Sequence, residues 1–176
     1  QHKKPSGVWI MAYTDIDDPS SVFQCTLYSG NAGTQTITHG GNSDLQADLI
    51  WLKGRNHSES HFLTDSSRGV NSQLYANQTI AEGTATNVVT AIGSDSFNIG
   101  NYSDINTSGK NYVSWNWKKQ AGVFDIVTYT GNGSNRTISH NLGAVPTMMV
   151  TKVRSTTNQW LVYHKSMGNT ETMKWD

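Results

Sequence analysis

The segment "NYVSWNWKK" (111–119) carries two tryptophans at alternate positions. If it is extended, Val113, Trp115, Trp117 and Lys119 share one face, and Tyr112, Ser114, Asn116 and Lys118 share the other. Two indoles on one face can stack on a sugar ring, or they can both be core. In "TDSSRG" (64–69), Asp65 and Arg68 stand three apart around a turn, as an ion pair holding that turn or as a polar clamp for a sugar. Carbohydrate binding needs aromatic faces with convergent polar groups. The residues that could supply them are Arg55, Asp65, Arg68, Asn71, Tyr75, Trp115 and Trp117. Trp51 lies in the apolar run "LIWL" and is expected in the core.

Other chemistries find less support. "DIDDP" (15–19) gathers three carboxylates, but without the alternating spacing and distant Glu of a calcium loop, and it reads as a solvated acidic turn. His57 and His61 are four apart, a spacing that converges on a helix and not on a strand. The sequence has no G-x-S-x-G elbow, no H-E-x-x-H and no P-loop. No carboxylate pair stands in a glycosidase context, so catalysis is not expected, and neither a cofactor nor a metal is. Cys25, the single cysteine, excludes an internal disulfide and in "FQCTLY" reads as a small buried residue. Asn56, Asn77, Asn101, Asn106, Asn132 and Asn135 all fit N-x-Ser/Thr, which chance explains in a chain so rich in Asn, Ser and Thr.

The elements that must position these residues are strands. The 176 residues carry no net charge, 15% are charged, and six Trp and seven Tyr can build a compact core. Neutral balance argues against nucleic acid, which wants a basic face. No apolar stretch approaches the roughly 20 residues that span a bilayer. The chain opens on Gln1 without an initiator Met, so a cut end is expected there and targeting cannot be read. "SSVFQCTLYSG", "DLIWLKGR", "SHFLTD", "NVVTAIG", "SFNIG" and "NYVSWNWKK" read as short strands between Gly-, Asn- and Ser-rich turns, and no segment keeps a helical period. That pattern predicts an all-β antiparallel β-sandwich.

The chain also repeats itself. "LYSGNAGTQTITH" (27–39) returns as "TYTGNGSNRTISH" (128–140), and both read as hairpins. "DLIWLKGR" returns as "TMMVTKVR", and "SESHFLTDSSRG" as "TNQWLVYHKSMG". His39 and His140 recur, which suggests a hydrogen bond closing a turn in each copy. Asp65 and Arg68 become His164 and Met167, so the fold of the module does not require that pair. A period of roughly 100 residues is the size of a small domain. The expected organisation is a lead-in segment over 1–20, one full sandwich module over 21–121, and the first half of a second copy over 122–176. A half sandwich would leave edges unpaired; a fragment of a longer chain, a disordered remainder and pairing of the half-copy with another subunit are the three explanations, of which the fragment is favoured.

These words together resemble a repeated module of long bacteriophage tail-fibre-like proteins, many of them from marine sequences. The resemblance is carried by Trp51/Lys53/Arg55, Asp65/Arg68/Gly69, Phe97/Gly100, Asn106 through Lys118, and Tyr129 through Pro146. The first copy departs from the pattern at "HGGNSDLQADLIW", which lacks the Pro. The resemblance implies a concanavalin-A-like jelly roll in a structural and adhesive fibre component on the extracellular virion surface. It implies self-association as a homotrimer, contacts with other virion proteins, and non-catalytic recognition of host-surface glycan. A pure spacer or capsid-decoration module and a polysaccharide depolymerase module are the alternatives. Adhesion predicts an exposed aromatic with polar neighbours, and a spacer predicts buried Trp. A depolymerase predicts two carboxylates about 5–9.5 Å apart in a cleft.

Overall fold

The structure, a computed structural model, describes residues 16–175. Most of the expected lead-in, with Trp9 and Asp15, lies outside them. The described chain is all-β with antiparallel sheets. One sheet has six strands in the order β1 (Phe23–Ser29), β9 (Asn111–Trp117), β3 (Leu49–Gly54), β4 (Phe62–Asp65), β5 (Gly69–Tyr75) and β6 (Gly83–Thr84). A second sheet has the order β2 (Gln35–Thr38), β8 (Ser96–Ile99), β7 (Val89–Ile92). A third runs β10 (Met148–Thr151), β11 (Trp160–His164), β12 (Met173–Trp175). The only α-helical turn among the described residues is α1 (Ser103–Asn106).

The first two sheets pack face to face. Period-two alternation sends Ile50 and Leu52 of β3 and Phe62 of β4 inward, where they meet Ile37, Val89, Phe97 and Ile99 from the other layer. All of these are buried. The run "LIWL" is apolar on both sides because both sides of β3 are covered: Leu49 and Trp51 face away from this core into a second cluster with Leu63, Leu74 and Trp160.

Buried polar groups tie the layers at one end. Asn106 is fully buried. Its Oδ1 accepts from the Asn31 N–H (2.9 Å) and Gln35 Nε2 (2.6 Å), and its Nδ2 donates to the carbonyls of Gly33 and Gly100. This knot fixes the chain where it leaves β1 and enters β2. Gly30 sits beside it with no room for a side chain, since a Cβ there would collide with the Thr107 carbonyl.

Three expectations are corrected. Residues 27–39 do not form a hairpin: β1 pairs with β9, β2 pairs with β8, and the turn between them crosses from one sheet to the other. Residues 128–140 contain no strand. Cys25 is exposed, because the inward phase of β1 belongs to Gln24, Thr26 and Tyr28.

The third sheet repeats the register of β3–β4–β5. Leu49 pairs with Asp65 and Leu52 with Phe62; Met148 pairs with His164 and Thr151 with Leu161, each partner shifted by 99 (49 to 148, 65 to 164). Leu63 pairs with Leu74, and Val162 with Met173, at the same shift. Lys53 Nζ donates to the Gly54 carbonyl and Lys152 Nζ to that of Val153, both at 2.8 Å.

Candidate functional site

The outward face of the six-stranded sheet is aromatic. Register places Cys25 of β1 beside Trp115 of β9, and Trp115 beside Trp51 of β3. The next row sets Phe23 beside Trp117 and Trp117 beside Leu49; the row on the other side sets Leu27 beside Val113 and Val113 beside Lys53. Cross-strand neighbours on one face lie within reach of aromatic rings. Trp51 meets Trp115 edge-on at 5.4 Å and stacks on Trp117 at 6.5 Å, while Phe23 lies 5.0 Å from Trp117. At the β1 margin the strip is open: Phe23 is 38% exposed, Leu27 is 59% exposed, and Trp115 and Trp117 are half-buried. His61 lies beside Trp51. Burial, and then the charge of Lys53, push its imidazole below the ordinary value, so it stays neutral at pH 7.

At the β5 margin the same face is covered by the third sheet. Trp160 is buried against Leu63, Leu74 and Ala76, and its Nε1 donates to the carbonyls of Tyr75 (3.1 Å) and Gln78 (3.0 Å). Trp175 sits 5.4 Å from Trp51. Backbone bonds run from the Glu82 N–H to the Arg154 carbonyl and from the Asn158 N–H to the Thr79 carbonyl.

A chain of charges reinforces this contact. Arg68 Nε bonds Asp65, Arg68 Nη1 bonds Glu82 at 2.8 Å, and Arg154 Nη2 bonds Glu82 at 2.7 Å. The side chains of Asp65 and Arg68 are 5% and 4% exposed. Burial alone would raise the Glu82 carboxyl, but the hydrogen bonds from Arg154 and Arg68 and their charges outweigh it and hold it below its ordinary value. A general acid needs the opposite shift.

A family model described as a domain of unknown function, DUF7483, matches residues 18–176. The chain belongs to the DUF7483 family. The match takes in both copies of the internal repeat as well as the aromatic face and its cover. No curated protein and no solved structure matches the chain.

Of the seven residues singled out in this DUF7483 chain, the fold brings Trp115 and Trp117 together on the open strip. The other five are scattered. Asp65 and Arg68 are buried in the ion pair that holds their turn, with Asp65 Oδ1 accepting the N–H groups of Ser67 and Arg68; at 4–5% side-chain exposure neither is presented to a sugar. Tyr75 is half-buried on the inward side, edge-on to Phe62 at 4.9 Å, and burial raises its hydroxyl pKa. Arg55 is exposed just past β3, and Asn71 is exposed on β5, its carbonyl accepting from the Ala85 N–H.

Sequence reasoning missed Phe23, Leu27, Trp160, Trp175 and Glu82, and it expected Trp51 in the core, where the structure packs it against the Leu63, Leu74 and Trp160 cluster. The alternation of "FQCTLYS" carries Phe23 and Leu27 on one phase, and that phase was the available signal.

The remaining candidates do not converge. Asp18 caps a short 3-10 turn by accepting from the Ser20 N–H and from the hydroxyls of Ser20 and Ser43. His57 rests on Tyr112 of the inner face and His61 on Trp51 of the outer face. Among the described residues, no group of three His, Cys, Asp or Glu could hold a metal ion. His39 is buried and bonds Thr26, while His140 is exposed and accepts the Leu142 N–H, so the recurring histidines do different work. No helix among the described residues is long and apolar enough to cross a membrane.

Proposed function

We propose that this chain is a structural and adhesive component of a phage virion fibre or appendage, displayed extracellularly on the virion surface. In this reading the open aromatic strip is a non-catalytic, lectin-like surface for host cell-surface glycan. One observation carries it: Trp115 and Trp117 share an outward face with Phe23 and Leu27, and that face is solvent-accessible at the β1 margin. A pyranose offers an apolar C–H face to such a strip and hydroxyls to the groups around it. Lys53 and His61 are the polar side chains beside it.

The fold is read more finely here as a concanavalin-A-like jelly roll over 21–121, followed by the first half of a second copy over 122–176. The closure of β1 on β9 and the register shared by the two meanders support it. Homotrimeric self-association and contacts with other virion proteins belong to the same reading; a monomer at high concentration in sedimentation would count against it. The second reading is a spacer or capsid-decoration module without a ligand. The burial of Trp160 against the first sheet favours it, since aromatic surface is spent there on joining parts of the chain.

A glycan array on the whole protein, followed by titration of the best hit, separates the two. Adhesion predicts that Trp115→Ala weakens the hit by about tenfold, in line with the loss of one stacked ring, while the circular dichroism spectrum is kept. An array with no hit leaves the spacer.

A further inference from the structure

The two meanders share strand order and register but differ in what completes them. In the first, β9 fills the edge of β3 from Leu49 to Gly54, and β1 pairs on the far side of β9. In the second, no described residue pairs with the corresponding edge of β10. Residues 124–130, whose sequence matches β1, form no strand.

The side chains show the same deficit. Ile50 and Phe62 are 0% and 1% exposed, whereas their counterparts Met149 and Leu161 are 46% and 43% exposed. Tyr28 is half-buried against Tyr112 of β9, and its counterpart Tyr129 is 53% exposed. Gly30 is hemmed in by the Thr107 carbonyl just before β9, yet Gly131 stands in open space. The vacant edge, the unformed strand, the bare Tyr and the unconstrained Gly are each the counterpart of something that β9 or the turn before it covers in the first copy.

We infer that the free edge of β10 is a strand-acceptor site. Its occupant is an extended segment of the β9 type carried by a further DUF7483 module, lying between β10 and residues 124–130 as β9 lies between β3 and β1. The chemistry that would be recognised is specific. It is seven residues long, as in Asn111–Trp117, with Trp115 and Trp117 on one face and Tyr112, Ser114 and Asn116 on the other. An unpaired strand edge presents a row of N–H and C=O groups that pair with such a segment, and side-chain pockets set the register. The inference does not rest on the glycan reading, and a blank glycan array leaves it standing.

The test uses the whole chain with a synthetic peptide of residues 111–119, followed by calorimetry and amide hydrogen exchange. The expected result is saturable one-to-one binding, with exchange of the amides of 148–151 and 124–130 slowed by about tenfold or more. A peptide carrying Trp115→Pro should not bind, because proline removes a ladder donor. No binding at up to about 1 mM peptide overturns the inference. So does protection confined to 23–29 and 49–54, which would mean that the peptide only exchanges with the chain's own β9. A dimer in sedimentation that is protected at 148–151, takes up no peptide and keeps 111–117 of each copy protected in its own sheet would seat a surface other than a β9-type strand there, and would also overturn it.

Discussion

Arg154 grips both carboxylate oxygens of Glu82, Nε at 2.9 Å and Nη2 at 2.7 Å, so the loop between β10 and β11 is fixed to the loop that leads into β6. The other side of Glu82 is held by buried Arg68. The two arginines are not equivalent. Arg154 is 44% exposed and Arg68 is 4% exposed. Arg154→Met should therefore cost about 0.2–1 kcal/mol, as exposed pairs do. Arg68→Met leaves Asp65 and Glu82 without their shared cation and should cost about 3–5 kcal/mol. Urea unfolding of both variants checks the order.

The same contact carries a pH dependence. Glu82 is held below its ordinary 4.5, so its contribution is present in full above that value and is lost as pH falls through the folded-state value. Glu82→Gln should lower Tm at pH 7, and the gap between variant and wild type should close in acid below pH 4.5. A gap that stays constant across the scan would mean that packing, not ionisation, holds the joint.

Trp160 should be the chief anchor of the third sheet. Trp160→Ala removes a buried ring and its two hydrogen bonds, at a cost of about 3–5 kcal/mol. The first module should survive, and hydrogen exchange should rise in 148–175 while 49–54 stays protected. Uniform loss of protection would show that the two parts unfold as one.

Asn106→Leu should be severe. It removes a fully buried amide that serves Asn31, Gln35, Gly33 and Gly100, and each orphaned partner costs about 1–3 kcal/mol. Thermal unfolding of the variant checks this. Asn106 also heads an Asn-Thr-Ser triplet, and its burial predicts no glycan there after expression in a secretory host, which peptide mass mapping would read.

Cys25 should react with thiol reagents in the folded protein, since it is exposed. Cys25→Ser should change stability by no more than about 0.5 kcal/mol. Because Cys25 lies opposite Trp115, a fluorophore attached there should be quenched by the indole and should block any ligand of the strip. Emission spectra before and after denaturation measure the quenching.

Much of the strand layout was legible because alternation and turn residues are local. "DLIWLKGR", "SHFLTD" and "NYVSWNWKK" became β3, β4 and β9. β5 and β6 were not expected, since "GVNSQLY" mixes polar residues into both phases and its burial depends on neighbours. The supposed hairpin at 27–39 failed because its turn signals say nothing about partners. β1 finds its mate some 80 residues downstream, and "TYTGNGSNRTISH" shows the same signals without any strand. Of the candidate site, the alternation of Trp115 and Trp117 was readable, but the place of Trp51 was not. An apolar run does not say which of two clusters a residue joins.

The position of β9 has a consequence for synthesis. It is the last strand of the six-stranded sheet to be made, yet it lies between β1 and β3. A ribosome therefore releases β1 well before its only ladder partner, and the nascent sheet stays in two pieces until residue 117 is clear of the exit tunnel. Such distant pairing is slow to form. During that interval β1 and β3 each offer a bare edge, and stalling between residues 54 and 111 would be the step most exposed to misassembly with a neighbouring chain.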